Sequence, residues 1–244
     1  MTDNTKNSIR LNKYIADSGY CSRREADQLV DAGKVTIDEK LASIGQQVYP
    51  FSIVKVNGQI IKPVTNKIYI LFNKPIGIIC TNDLAVKDNI RSYINYPELI
   101  FPVGRLDRAS TGIILLTNDG DIVNKILRAE NNKEKEYIVT VDKDINEDFI
   151  KQMAQGVKIY NPVLHKEVIT NACKVTQTSL RSFKIILQQG LNRQIRRMTK
   201  ELGYNVKHLA RIRIMHLKVG NLAVGTYRHL TPAELDKLFD LIQN

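Results

Sequence analysis

The stretch FPVGRLDRASTGIILLTNDGD, residues 101–121, runs from a loop bracketed by Gly104 and Gly112 straight into the apolar run Ile113, Ile114, Leu115 and Leu116. Four consecutive apolar residues read as a buried strand. Asp107 lies between Arg105 and Arg108 just ahead of that dry wall, where an ionised carboxylate requires a cationic partner. A surface turn, or a local ion pair with Arg105 or Arg108, accounts for the same three residues. The spacing leaves both readings open.

Working outward, the 244-residue chain is 43% hydrophobic and 25% charged. That is enough material for one good core and a small satellite domain, so disorder is not the default. Three scattered cysteines, Cys21, Cys80 and Cys173, suggest neither a disulfide framework nor a metal knuckle and fit a reducing, cytoplasmic setting. No apolar run approaches the roughly 18 residues of a membrane span, and MTDNTKNSIR lacks the apolar core of a signal peptide. The formal charge of +11 favours a polyanionic partner. Residues 181–218 hold ten basic residues against one acid, Glu201, so most of the excess lies in one segment.

The first 66 residues read as a unit. IRLNKYIADSGY sets Ile9, Leu11, Tyr14 and Ile15 at the spacing of a short amphipathic helix stopped by Gly19. SRREADQLVDAG carries a capping box from Ser22 to Glu25 and a stop at Gly33. KVTID and SIVKVNGQII alternate as half-buried strands, the second turning at Asn57-Gly58. Residues 63–67 form a linker. Beyond it, strands are expected at 68–72, 113–117, 137–141, 182–187 and 211–219, and helices at 121–129, 147–155, 193–202 and 231–242, the last opened by Thr231, Pro232 and Glu234. The boundaries are therefore 8–66 and 67–244, and the fold class is α+β.

Two further clusters carry chemistry. In GLNRQIRRMTKELGY a helix from residue 193 puts Arg193, Arg196, Arg197 and Lys200 three and four apart on one side. That is either a solvated face or a phosphate rail with one arginine turned inward to an acid. In EKEYIVTV, Tyr137 leads a strand, as a core aromatic or as a flat face for a base. The four histidines share no ligand spacing, and His216, on an apolar strand, reads as a satisfied core residue. No phosphate-cradling glycine loop is present.

At these residues the chain resembles a known family. GRLDRASTGIILLTNDGD, ILFNKPIGIICT, KEYIV and GLNRQIRRM are similar to the ordered motifs of the RsuA family of pseudouridine synthases. SRREADQLVDAGKVTIDEKLASIGQQV resembles the S4 RNA-binding domain that precedes their catalytic domain. The resemblance implies a catalytic domain with a mixed, mainly antiparallel sheet and an enzyme that isomerises uridine within RNA. It also implies Asp107 as the essential carboxylate, Arg196 as its partner and Tyr137 as the stacking aromatic. Asp107 could attack C1′, add to C6 of uracil or take a sugar proton. The target nucleotide is flipped into the site, with Arg105 as wedge; Lys74, Arg193 and Arg197 are expected phosphate contacts, joined by Arg23 and Arg24 of the first module. No cofactor or metal is implied. The expected substrate is a stem-loop of 23S ribosomal RNA, with tyrosine transfer RNA as a second one, and no DNA, membrane or partner chain is expected. A non-catalytic S4-type ribosome-associated factor, and a nucleosidase releasing uracil, stand as the alternatives.

Overall fold

The computed structural model describes residues 8–127 and 134–243. The chain divides into two compact units, one holding the chain to Ile68 with Tyr96–Ile100 and Asn118–Gly120, the other the remainder.

In the first unit, β1 (Ile9–Arg10) precedes α1 (Leu11–Asp17) and α2 (Arg23–Asp31). Ile9 is thus in a strand, paired with Val48, and the helix begins two residues later than its apolar spacing suggests. The Ser22 hydroxyl accepts from the Glu25 amide while the Glu25 carboxylate accepts from the Ser22 amide. Gly19 and Gly33 take positive φ just past each helix. Strands β2 (Val35–Ile37), β3 (Lys40–Leu41), β4 (Gln47–Val48), β5 (Val54–Val56) and β6 (Gln59–Ile61) follow. Four of them form a sheet ordered β3-β2-β5-β6, and Asn57 and Gly58 both adopt positive φ in its last turn, as a tight hairpin demands. Leu11, Ile15, Ala26, Val30, Val35 and Val54 make a small core of their own.

The second unit is built on β7 (Tyr69–Lys74), α3 (Ile90–Ile94), β8 (Phe101–Pro102), β9 (Thr111–Thr117), α4 (Gly120–Leu127), β10 (Lys135–Val141) and α5 (Glu147–Gln155). Then come β11 (Lys158–Asn161), β12 (Lys166–Ile169), β13 (Lys174–Ser179), β14 (Ser182–Leu187), α6 (Gln194–Glu201), β15 (Val206–Ile214), β16 (Leu217–Lys218), β17 (Tyr227–His229) and α7 (Pro232–Gln243). The main sheet runs β13-β14-β10-β15-β9-β7-β17. Only its β15–β9 contact is parallel, so the sheet is mixed and mainly antiparallel, and the α+β class holds. The helix expected at 121–129 is α4, and its last two residues lie outside the described ones.

Strand β9 is buried on both faces, hence its unbroken apolar run. Ile113 and Leu115 join Leu71, Leu217 and Leu238 in one cluster under α4 and α7. Val139, Phe183, Ile185 and Leu209 join Phe149, Ile195 and Met198 in a second, under α5 and α6. The apolar run expected as one strand at 211–219 is a hairpin, because Met215 takes φ +52° and reverses the chain. His216 accordingly sits in a turn: its Nε2 meets the Glu234 carbonyl at 2.8 Å, while Nδ1 is buried with no hydrogen-bond partner among the described residues. All three cysteines are free, and burial pushes the Cys173 thiol up to about 11. Among the described residues no helix is long and apolar enough to cross a membrane.

Candidate active site

The loop from β8 to β9 is tied down before it presents Asp107. The Ser110 amide donates to the Asp107 carbonyl at 3.0 Å, and Leu106 is buried with its amide on Cys80 Sγ. Arg108 turns away from the carboxylate: Nε donates to the Gly77 carbonyl and Nη2 pairs with Asp88 at 2.9 Å. Its carbonyl accepts from the Gly77 amide in return. Arg108 is therefore a staple between two loops, and the local Asp107–Arg108 pair does not form.

The partner arrives from α6. Arg196 Nε lies 3.7 Å from Asp107 Oδ2, with the two side chains 13% and 30% exposed. Arg196 Nη2 donates to the Ala109 carbonyl and Ser110 hydroxyl, and Nη1 to the Val206 carbonyl. Its Nε is buried with no hydrogen bond among the described residues, which leaves that N–H for the carboxylate side. Burial lowers Arg196 below the usual arginine range, Asp107 opposes the shift, and Arg193 adds to it.

Arg193 and Arg197 do not extend Arg196 into a rail. Arg193 is the N-cap, in the left-handed region at φ +50°, outside the helical register that the 3,4 spacing assumes. Arg197 is spent on Asn192 and the Tyr160 carbonyl. Gln194, buried, shapes the approach loop by accepting from the Leu191 amide and donating to Gln189.

Asp107, Arg105, Tyr137, Arg193 and Arg196 line one cavity of about 490 Å³, with walls drawn from both apolar clusters. Its lining also includes Lys135, Leu209 and Arg211, which motif reasoning does not single out. Tyr137 is the third residue of β10, opposite Ile185 on one side and Arg211 on the other, so it stands inside the sheet rather than at a strand end. Lys74 is a correction. It is fully buried, its ammonium donating to the carbonyls of Pro75 and Ile78, and burial lowers it from the usual lysine range. An ammonium so enclosed supports the loop around Pro75 and does not reach an RNA phosphate. Arg23 and Arg24 are exposed at the start of α2, with Arg23 donating to Asn12.

A basic cavity with one carboxylate facing a guanidinium and lined by an aromatic, in a chain that carries a separate module with exposed arginines, suits an enzyme that acts on a polyanion. Residues 68–201 match the RNA pseudouridylate synthase family and residues 9–50 the S4 domain. The chain belongs to the RNA pseudouridylate synthase family, and it is an isomerase acting on RNA. It is 51% identical over 239 residues to the dual-specificity RNA pseudouridine synthase RluF of Escherichia coli (strain K12), covering 97% of this chain and 80% of that one. It is 32% identical over 234 residues to the ribosomal large subunit pseudouridine synthase B of Bacillus subtilis (strain 168), covering 94% and 95%. A crystal structure of a pseudouridylate synthase superposes with a TM-score of 0.68 at 27% identity, covering 95% of this chain and all of that one.

Proposed function

We propose that this enzyme converts one uridine to pseudouridine in a stem-loop of 23S ribosomal RNA, with tyrosine transfer RNA as a second substrate. The name of the B. subtilis relative, ribosomal large subunit pseudouridine synthase B, supports a ribosomal substrate, and the word dual-specificity in that of the E. coli relative supports there being a second one. The observation that carries the site assignment is the approach of Arg196 to Asp107 at 3.7 Å on the cavity that Tyr137 also lines.

In this reading the N1–C1′ bond breaks, the uracil turns in place, and C5 joins C1′ while the C5 proton is lost and N1 gains one. No atom is added overall. Glycoside hydrolases ordinarily use two carboxylates, one of them to activate water or attack. Asp107 is the one acid among the described residues lining the cavity, which suits an isomerase that keeps water out. Asp107 acts on the flipped nucleotide, Arg196 balances its charge, and Tyr137 stacks on the uracil. Arg105, exposed on the cavity lining, fills the space the base vacates. Arg193, exposed beside the cavity, meets phosphate, while Arg197 is held on Asn192 and the Tyr160 carbonyl; the module over 8–66 adds affinity through Arg23 and Arg24, and residues 67–244 carry the chemistry. The enzyme works as a monomer in the cytoplasm.

The test incubates the protein with unmodified ribosomal and transfer RNA and maps pseudouridine chemically. One dominant position per RNA is expected, with Asp107→Asn abolishing conversion and RNA affinity kept within a few fold. Conversion surviving in that variant overturns the assignment of Asp107. An abasic product would make the protein a nucleosidase.

A further inference from the structure

Lys135 and Tyr137 are two apart on β10 and so share a sheet face, and Arg211 stands directly opposite Tyr137. Glu136 faces Arg213, and the register shifts by one residue between these two pairs. This bulge sends Arg211 and Arg213 to opposite faces although they are two apart. Arg213 is taken up by Glu134 and Glu136. Arg211 is 3% exposed, with Nε on the Ile113 carbonyl at 2.8 Å and Nη2 buried without a hydrogen-bond partner among the described residues. Both Lys135 and Arg211 line the cavity that holds Asp107, whose carboxylate already faces Arg196.

We infer that Lys135 and Arg211 form a cationic floor that holds the negative charge of the uracil as it leaves C1′, an inference resting on the site reading above. When N1–C1′ breaks, the bonding pair goes with the base and spreads over N1 and the two carbonyl oxygens. It returns from C5 to C1′ in the new bond, after which the C5 proton departs and N1 is protonated. The neutral base gains little from the two cations before cleavage, whereas the departing anion gains much, the condition for lowering a barrier. Backbone phosphates belong outside, with the exposed Arg193; the inner cations meet the base. Burial and the nearby Arg211 lower Lys135 from the usual lysine range, and an anion arriving beside the two relieves that repulsion.

The test is a leaving-group comparison under single turnover, following loss of the target nucleotide by nuclease digestion and mass spectrometry. Substrate RNA carries either uridine or 5-fluorouridine, whose base leaves more readily as an anion. Lys135→Met is expected to slow uridine cleavage roughly 10- to 100-fold, with RNA affinity within about 2-fold. Its deficit on 5-fluorouridine is expected to be at least about 5-fold smaller, and Lys135→Arg to restore most of the rate. Lys135→Gln, a polar neutral variant, carries the comparison if the methionine variant folds poorly. Equal deficits on both bases overturn the inference, as does weaker RNA binding at an unchanged rate, the mark of a phosphate contact. Asp107→Asn in the same assay separates the two readings, since cleavage surviving there sinks the site assignment itself.

Discussion

At Gly112 the backbone takes φ +112°, and a Cβ there would stand 2.2 Å from the Arg211 carbonyl oxygen and 2.4 Å from its amide nitrogen. The glycine therefore lets β9 and β15 approach as the parallel pair that joins the two halves of the sheet. Gly112→Ala adds positive-φ strain to a backbone clash, costing about 3 kcal/mol or more. Tm should fall by roughly 6–12 °C in a thermal melt, and an unchanged Tm would mean the strands tolerate a wider gap. The sequence reveals the glycine as a loop bracket but not its contact with Arg211, far along the chain. Asp107 is likewise visible as an acid beside a dry wall, but spacing offers Arg105 or Arg108 as its partner. Arg196, from a distant segment, is the partner because α6 lays it across Ala109 and Ser110.

Elements with local signals are legible in the chain. The capping boxes at Ser22 and Thr231, the Asn57-Gly58 turn and the α5 boundaries all rest on contacts within a few residues. The strands β12, β13 and β17 are not legible, because their exposed, mixed composition gives no clear period, and β11 alternates over only four residues. Helix α7 carries a prediction at this scale. Arg228 grips Glu234 with both terminal nitrogens at 2.7 Å, and the Thr231 amide adds a bond. Arg228 and Thr231 together lower Glu234 from 4.5 to about 2. Its folded pKa lies below the unfolded one, so this stabilisation is present above the unfolded value of 4.5 and is lost as pH falls toward about 2. After allowance for solvent screening it amounts to about 1 kcal/mol. Urea midpoints at about pH 6 and about pH 3 should differ less for Glu234→Gln than for the natural chain. Equal pH sensitivity would show that another group governs acid stability.

For the whole molecule, charge decides how RNA is held. Neutralising phosphates releases counterions, so each lost contact flattens the salt dependence of binding. Arg23→Ala with Arg24→Ala should weaken RNA affinity and reduce the slope of log K against log salt by about 1 to 2, measured by filter binding at several ionic strengths. An unchanged slope would mean the first module touches no phosphate. Composition alone, with ten basic residues against one acid in residues 181–218, points to a polyanion but overstates how those charges are used. Arg197 and Arg213 are taken up within the protein, and Arg211 is turned into the cavity.

What the sequence determined by itself is whatever short-range chemistry encodes: caps, turns, the buried strand after Asp107, the order of the motifs and the family. The family resemblance named Arg196 as the partner of the carboxylate, but only the tertiary structure decided how the two meet, that Lys74 is sealed inside, and that Arg211 faces the cavity while Arg213 faces away. These depend on strand register and on one extra residue in a ladder, set by pairing between distant segments. No local pattern of residue types carries that information.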